Sequence, residues 1–538
     1  MKIYELIKRH LKRNLFPLLF YIVVSILLSL LGILAPFLSG RFIDNLISNP
    51  STIIIYKFSC CYIIIAAFQL FLTYVSSITL VKLQNKILFD FNSEIIQKIQ
   101  RVSLLLIDQN DPAYLNQRIN TDCNVLVSFA ISFISGSIVN MISFLICLMI
   151  ITKINAYISL IIILLIISYL FLYQIMKKPL MMIKKNMKEA QAKYISSLQE
   201  QFSKIKVIKI FNKYDYFQKK LVKSFKDLLH SNLKNAKSSF ILQSSDTLIS
   251  MFAQIILFIF GGYQIISGHL TIGLFTVLST YFSNLINSVK YFVAMGNNFI
   301  ESNVSALRLQ ELLNLKEEAS LGISLNKINN ITIKNLSFSY GVKPIIYKLN
   351  CSFQKGKIYC ISGLNGSGKS TFMNLLIGLY TDYFTGDIIY DGICLSQLNP
   401  YFFREMNLSY VGQDPLLFNG TIRENLVFTN EKKYDNKIKE YLKLFKFESY
   451  LDISDDEFLN VIINDNNMSG GELRKISIIR SLLKKSSILI MDEPTNSLDI
   501  NSKLHLIEEL KNRKNEQIII LSSHDEIFRD IIDEEISL

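Results

Sequence analysis

The chain is 538 residues long, half of its residues are hydrophobic and its mean hydropathy is +0.32, a bulk too apolar for an ordinary soluble protein of this length. Its formal charge of +13 does not argue for nucleic acid, because much of the lysine excess flanks apolar segments, where a positive-inside bias accounts for it. Seven cysteines, Cys60, Cys61, Cys123, Cys147, Cys351, Cys360 and Cys394, show no metal-ligand spacing and read as small core residues in a reducing or lipid setting.

The first feature along the chain is a charge-free run between Arg13 and Arg41, "NLFPLLFYIVVSILLSLLGILAPFLSG", longer than the ~20 residues a helix needs to cross hydrocarbon and too long for the apolar core of a signal peptide. Similar runs follow at 58–81, 123–152 and 154–176, and a long one at 247–289 is divided by "SGHLTIG", which predicts six membrane helices in all. Lysine and arginine gather before the first span, after the second and, from Lys177 to Lys237, after the fourth, which places both termini in the cytoplasm. The two cytoplasmic connections read as helical, so spans two to five are expected to project beyond the bilayer. Most of the lysines from Lys177 to Lys237 read as a solvated helix face. His10, His230, His269 and His505 have no partner at ligand or catalytic spacing. Near residue 330 short β-like runs such as "ITIKNLSFSY" replace the helical pattern, which sets a membrane domain at 1–315, a linker at 316–330 and a second domain at 331–538.

In the second domain, "GLNGSGKST" at 363–371 lies between the apolar strand "KIYCIS" and the helical "TFMNLLIGLY", the strand-loop-helix setting that G-x-x-x-x-G-K-[ST] requires. Gly363, Gly366 and Gly368 let backbone N–H groups turn toward phosphate oxygens, with Asn365, Ser367 and Thr371 completing the nucleotide loop. Lys369 offers a point charge to the β and γ phosphates and Ser370 a hydroxyl to Mg²⁺. "SILIMD" ends a buried-type strand at Asp492, the expected metal-linked carboxylate, and Glu493 beside it is the candidate general base for a water in line with the γ-phosphate. Alone, an Asp-Glu pair would read as an exposed loop; the loop at 363–371 gives it meaning.

"MSGGE" at 468–472, ahead of "MDEP" at 491–494, resembles the signature of ATP-binding cassette ATPases. Ser469, Gly470 and Gly471 open a helix whose N-terminal dipole and free N–H groups can face a phosphate. The resemblance implies that this phosphate belongs to ATP held by another copy, with two nucleotides sandwiched between two cassettes. It also implies that Tyr340 in "FSY" stacks on adenine, that Gln413 in "YVGQDPLLF" senses metal and γ-phosphate, that Asp499 in "NSLD" marks the inter-subunit loop, and that His524 in "SSHDE" is the switch histidine. "NDPAYLNQRINTD" at 110–122 and "KVIKIFNKYDYF" at 206–217 resemble the two intracellular coupling segments of fused exporters, and "TIRENL" at 421–426 an exporter cassette.

What the resemblance implies is an α-helical membrane domain with six transmembrane helices and long intracellular helices, fused to an α/β P-loop ATPase cassette. Such a half-transporter lies in the cytoplasmic membrane with its cassette in the cytoplasm, uses ATP and Mg²⁺, and works as a dimer with a second copy or a related half-transporter. Glu493 and His524 are both present, which favours the homodimer. The spans as delimited carry no acidic or basic residue but interspersed Phe, Tyr, Ser, Asn and Gln, which suits an amphipathic or apolar cargo. A peptide such as a bacteriocin is the first expectation; a lipid, a drug, or a membrane ATPase that regulates a partner are the alternatives. Met468 and Glu472 stand where the commoner signature has Leu and Gln, leaving Ser-Gly-Gly intact. The sequence stops fourteen residues after His524, where the resemblance implies a further strand and helices. Thirteen residues ahead of the first span leave no room for the cargo-trimming cysteine peptidase of some peptide exporters.

Overall fold

Long apolar runs with few breakers give long helices. The computed structural model describes residues 2–108, 112–154, 156–319, 321–341, 343–447, 458–464 and 467–538. Its helices before residue 314 are α1 (Lys2–Arg13), α2 (Leu15–Ser48), α3 (Thr52–Gln100), α4 (Leu104–Asp108), α5 (Pro112–Ile154), α6 (Ala156–Ser203), α7 (Ile205–Ile210), α8 (Tyr214–Ile266) and α9 (Ile272–Leu313). At ~1.5 Å per residue, α3, α5, α6 and α8 reach roughly 65–80 Å, more than twice the ~30 Å hydrocarbon core, so each continues beyond a bilayer. Among the described residues, Leu15–Ser48, Thr52–Gln100, Arg118–Ile154 and Ile272–Leu313 are long and apolar enough to cross a membrane. The remaining two expected spans fall in α6 and α8, many of whose side chains lie outside the described residues; the shorter apolar stretch Ser250–Ile266 belongs to α8.

Two units emerge, Met1–Ile96 with Ala113–Asn314, and Gln97–Pro112 with Leu315–Leu538. In the first, α2 and α9 meet backbone to backbone: a Cβ added at Gly273 would lie 2.0 Å from the Gly40 carbonyl oxygen, and one at Gly40 would lie 2.6 Å from that of Gly273. Asp44 clasps the same junction, accepting from the Thr271 hydroxyl at 2.7 Å and from the Gly273 N–H at 2.8 Å. Those donors belong to the start of α9, where orphan N–H groups and the helix dipole both favour a carboxylate. Farther along, buried Tyr281 donates to the Ile33 carbonyl at 2.7 Å. His10, unassigned from sequence, has a partner after all: its Nε2 lies 2.9 Å from a Glu94 carboxylate oxygen and its ring packs edge-on to Phe91, tying α1 to α3.

The second unit carries β1 (Asn330–Tyr340), β2 (Lys343–Gln354), β3 (Ile358–Ser362), β4 (Phe384–Tyr390), β5 (Ile393–Cys394), β6 (Leu408–Val411), β7 (Gly420–Thr421), β8 (Ile462–Ile463), β9 (Ile488–Asp492), β10 (Ile518–Ser522) and β11 (Glu534–Ser537). Interleaved with them are α10 (Lys369–Leu376), α11 (Pro400–Phe402), α12 (Ile422–Val427), α13 (Asp435–Leu444), α14 (Gly470–Leu483) and α15 (Ile500–Arg513). One sheet is antiparallel in the order β2-β1-β4-β5; the other is parallel in the order β11-β3-β10-β9-β6; β7 and β8 pair separately. Every residue of β9 and β10 is buried, because a parallel sheet covered on both faces demands continuous apolar runs. After His524 the sequence still supplies β11, which pairs with β3 and covers its outer edge.

The end of α3 and the residues after it belong to this second unit and pack within it. Ser103 donates to the Leu379 carbonyl at 3.2 Å, Lys98 pairs with Glu317 at 2.7 Å, and Leu104 and Leu105 pack on the apolar cluster that contains Phe372 and Ile388. These residues, which belong to the second unit, precede the coupling segment expected at 110–122. Residues 109–111 and the Tyr114 side chain lie outside the described residues.

The Asp44 clasp yields a stability prediction. Asp44→Ala removes the acceptor of two hydrogen bonds at a helix start and should destabilise the membrane unit by about 2 kcal/mol. The lowered melting point of the detergent-purified chain measures it.

Candidate nucleotide site

The parallel order places four sequence-distant segments side by side, because each follows the C-terminal end of a neighbouring strand. Residues 363–371 follow β3, His524 follows β10, Asp492 and Glu493 stand at the end of β9, and Gln413 follows β6. Register brings the ends level: Ser522 pairs with both Ile361 and Asp492, and Met491 pairs with Val411. Ligands of open α/β sheets bind at this edge.

The loop after β3 depends on its glycines. Gly363, Gly366 and Gly368 have φ of +149°, +83° and +102°. A Cβ at Gly363 would lie 2.6 Å from Ser367 Oγ and one at Gly368 2.6 Å from Ile345 Cγ2, while at Gly366 nothing lies within 4 Å. Two glycines thus allow close packing and the middle one leaves open space beside a left-handed backbone, the cradle a phosphate needs. Lys369, buried at the start of α10, donates to the Gly363 carbonyl at 2.7 Å and lies 3.3 Å from His524 Nε2. An ammonium only donates, so Nε2 is the accepting nitrogen in this contact.

Asp492 is buried and half satisfied: Oδ1 accepts from the Ser522 hydroxyl, whereas Oδ2 has no hydrogen-bond partner among the described residues. The Ser367 hydroxyl is likewise buried without one. A buried carboxylate oxygen in that state is costly unless a cation meets it. The hard oxygen donors of Asp492, Ser370 and Gln413 fit Mg²⁺, which takes few protein ligands and keeps phosphate and water as the rest. Glu493 adopts a left-handed φ of +46°, unusual for a non-glycine residue. Its N–H donates to the Ser522 carbonyl at 3.0 Å, and its carboxylate accepts from Asn496 Nδ2 at 2.5 Å, so both backbone and side chain are oriented. Tyr340 ends β1 with 42% of its surface exposed, its ring edge-on to Phe338 and its hydroxyl 3.3 Å from that of Tyr380, an aromatic face offered at the sheet rim.

Ser469 caps α14 by accepting from the Glu472 N–H, and Glu472 accepts in return from the Ser469 N–H, a capping box that favours the helix by about 1 kcal/mol. Gly470 has open space where a Cβ would stand; at Gly471 a Cβ would lie 2.7 Å from the Ser497 carbonyl oxygen, so this second glycine lets the Asp499 loop pack against the signature. Lys475 joins the same two parts at 2.7 Å from Asp499, which also caps α15 by accepting from the Ser502 N–H at 2.9 Å. Burial acts to raise the Asp499 carboxyl, but the hydrogen bonds from Lys475 and Ser502 outweigh it and hold the group well below the usual carboxylate range.

Two residues escape sequence reasoning. From α14, buried Arg474 donates to the carbonyls of Gly412, at 2.6 Å, and Gln413, and Arg480 donates to those of Leu416 and Asn425, each at 2.6 Å. Burial pulls the Arg480 guanidinium down to about 10, which still leaves it charged at neutral pH. The helix that begins with the signature thus also holds the Gln413 loop. Arginines inside the buried-type run "LRKISIIRSLL" are the one signal that could have found them.

These features define a P-loop ATPase cassette joined to a helical membrane domain. Residues 18–289 match the ABC transporter transmembrane region and residues 346–496 the ABC transporter cassette, and the chain belongs to the ABC transporter family. It is similar to the ATP-dependent lipid A-core flippase of Syntrophus aciditrophicus, 24% identical over 463 residues, or 84% of this chain and 76% of that one. It is also similar to the microcin-J25 export ATP-binding/permease protein McjD of Escherichia coli, 28% identical over 310 residues, 56% of this chain and 53% of that one. The lactococcin-G-processing and transport ATP-binding protein LagD of Lactococcus lactis subsp. lactis is 26% identical over 346 residues, 62% of this chain and 48% of that one. A solved bacterial Atm1-family ABC exporter with ATP bound shares the fold, with a TM-score of 0.83 over 98% of this chain and 93% of that one at 17% identity. The chain is an exporter-type half-transporter and an ATPase whose hydrolysis is coupled to transport.

Arg474→Met should release the Gln413 loop without touching the residues at 363–371. ATP turnover is expected to fall about 10- to 100-fold while equilibrium nucleotide binding stays near the parental value; steady-state hydrolysis and binding titration on the same preparation check it.

Proposed function

We propose that two copies of this chain form an exporter in the cytoplasmic membrane, cassettes and termini in the cytoplasm, that moves an amphipathic peptide outward at the expense of ATP. The observation that carries the ATPase half of this reading is the convergence of Lys369, Asp492, Glu493, His524 and Gln413 at adjacent ends of one parallel sheet. Tyr340 stacks on adenine, residues 363–371 wrap the phosphates, and Lys369 exchanges its contacts with the loop carbonyl and His524 for the β and γ phosphates. Asp492, Ser370 and Gln413 would hold Mg²⁺, which when bound neutralises charge on those phosphates. Glu493 takes a proton from a water that attacks the γ-phosphorus as the bond to the β-phosphate oxygen breaks, leaving ADP and inorganic phosphate. Ser469, Gly470 and Gly471 of each copy face the γ-phosphate of ATP bound to the other.

The second coupling segment supports the dimer. Ile210 and Phe211, at the end of α7, are 74% and 64% exposed in the single chain, and neighbouring apolar residues so placed suit a contact with a second copy. Peptide cargo is supported by the likeness to McjD and LagD and by the uncharged expected spans. A lipid cargo is the second reading, favoured by the lipid A-core flippase whose likeness runs over 84% of this chain.

Glu493→Gln should lower turnover by about a hundredfold or more while ATP still binds and the closed dimer accumulates; Lys369→Ala should instead weaken binding itself. Hydrolysis at the parental rate in Glu493→Gln would remove Glu493 from the role of base. For the cargo, inside-out vesicles should accumulate an amphipathic fluorescent peptide with ATP, and vesicles carrying Glu493→Gln should not. Translocation of a labelled lipid with no peptide uptake would favour the second reading.

A further inference from the structure

Glu472 does more in the signature than a cap requires. One carboxylate oxygen accepts both the Ser469 N–H, at 2.8 Å, and the Ser469 hydroxyl, at 2.7 Å. A capping box forms with Glu or with Gln, so helix α14 does not need the charge. The charge stands where a helix start attracts anions, on the serine that the proposed function turns toward a phosphate. Lys475, one turn along, has its ammonium on Asp499. The Ser469 hydroxyl hydrogen is therefore already given to an anion of its own chain.

We propose that Glu472 is an intramolecular competitor for the γ-phosphate presented by the second copy, and thereby sets the ATP concentration at which the two cassettes close. When the sandwich forms, Ser469 redirects its hydroxyl hydrogen from the carboxylate to the phosphate, and two like charges are brought toward one helix start. Closure then requires more nucleotide than it would with a neutral residue at 472. Glu472 acts through Ser469 and is a positioning residue. The inference rests on the shared-site reading given above.

The test titrates ATP-analogue-driven closure of the full-length dimer with AMP-PNP, read by an inter-cassette cross-link, for the parent, Glu472→Gln, Glu472→Ala and Ser469→Arg. Melting curves run beside each titration. The half-closing concentration should fall about three- to tenfold in Glu472→Gln, which keeps the cap, and should also fall in Glu472→Ala, which loses it. A purely structural role predicts the opposite ordering: Gln equal to the parent and Ala shifted upward. That result, with Ser469→Arg failing to close, overturns the inference and leaves the shared site standing. If Ser469→Arg closes like the parent, the shared-site reading fails and takes this inference with it.

Discussion

The site rests on the parallel pairing of β3, β10 and β9. Three buried strands in register deliver the phosphate loop, the His524 loop and the Asp492-Glu493 pair to one edge, and Ser522 is the point at which they are joined. Its hydroxyl donates to the Asp492 carboxylate and its carbonyl accepts from the Glu493 N–H, so one residue of the central strand fixes the Asp492 side chain and the Glu493 backbone. A slip of one residue in this ladder would turn each side chain to the opposite face.

Helix α14 attaches several parts of the cassette to one another. Its first turn presents Ser469 and Gly470, its second holds Asp499 through Lys475, and its buried arginines grip the loop that contains Gln413. A rigid helix with these attachments has few ways to move without moving all of them. The start of α14 and the Gln413 loop are thus held by one helix within the cassette.

The membrane unit solves a different problem. Lipid offers no hydrophobic drive between helices, so α2 and α9 gain contact from the mutual approach of Gly40 and Gly273 and from a carboxylate placed on a helix start. The same helices that span the bilayer continue far beyond it, and the end of α3 leads directly into Ser103, Leu104 and Leu105, which pack with the cassette core.

Local chemistry was legible in the chain alone. The 363–371 loop, Asp492, Glu493 and the Ser-Gly-Gly turn are short local patterns that can be read without knowing the fold, and charge-free runs predict long apolar helices. What only the tertiary structure decided lies in contacts between segments far apart in sequence: Arg474 on the Gln413 loop, Asp44 on the start of α9, His10 on Glu94, the docking of residues 101–105, and β11 on the edge of β3. An arginine in an apolar helix or an aspartate after a membrane span has no local period or spacing to declare its partner. Its role exists only once long-range packing has brought acceptors or donors from distant segments within reach.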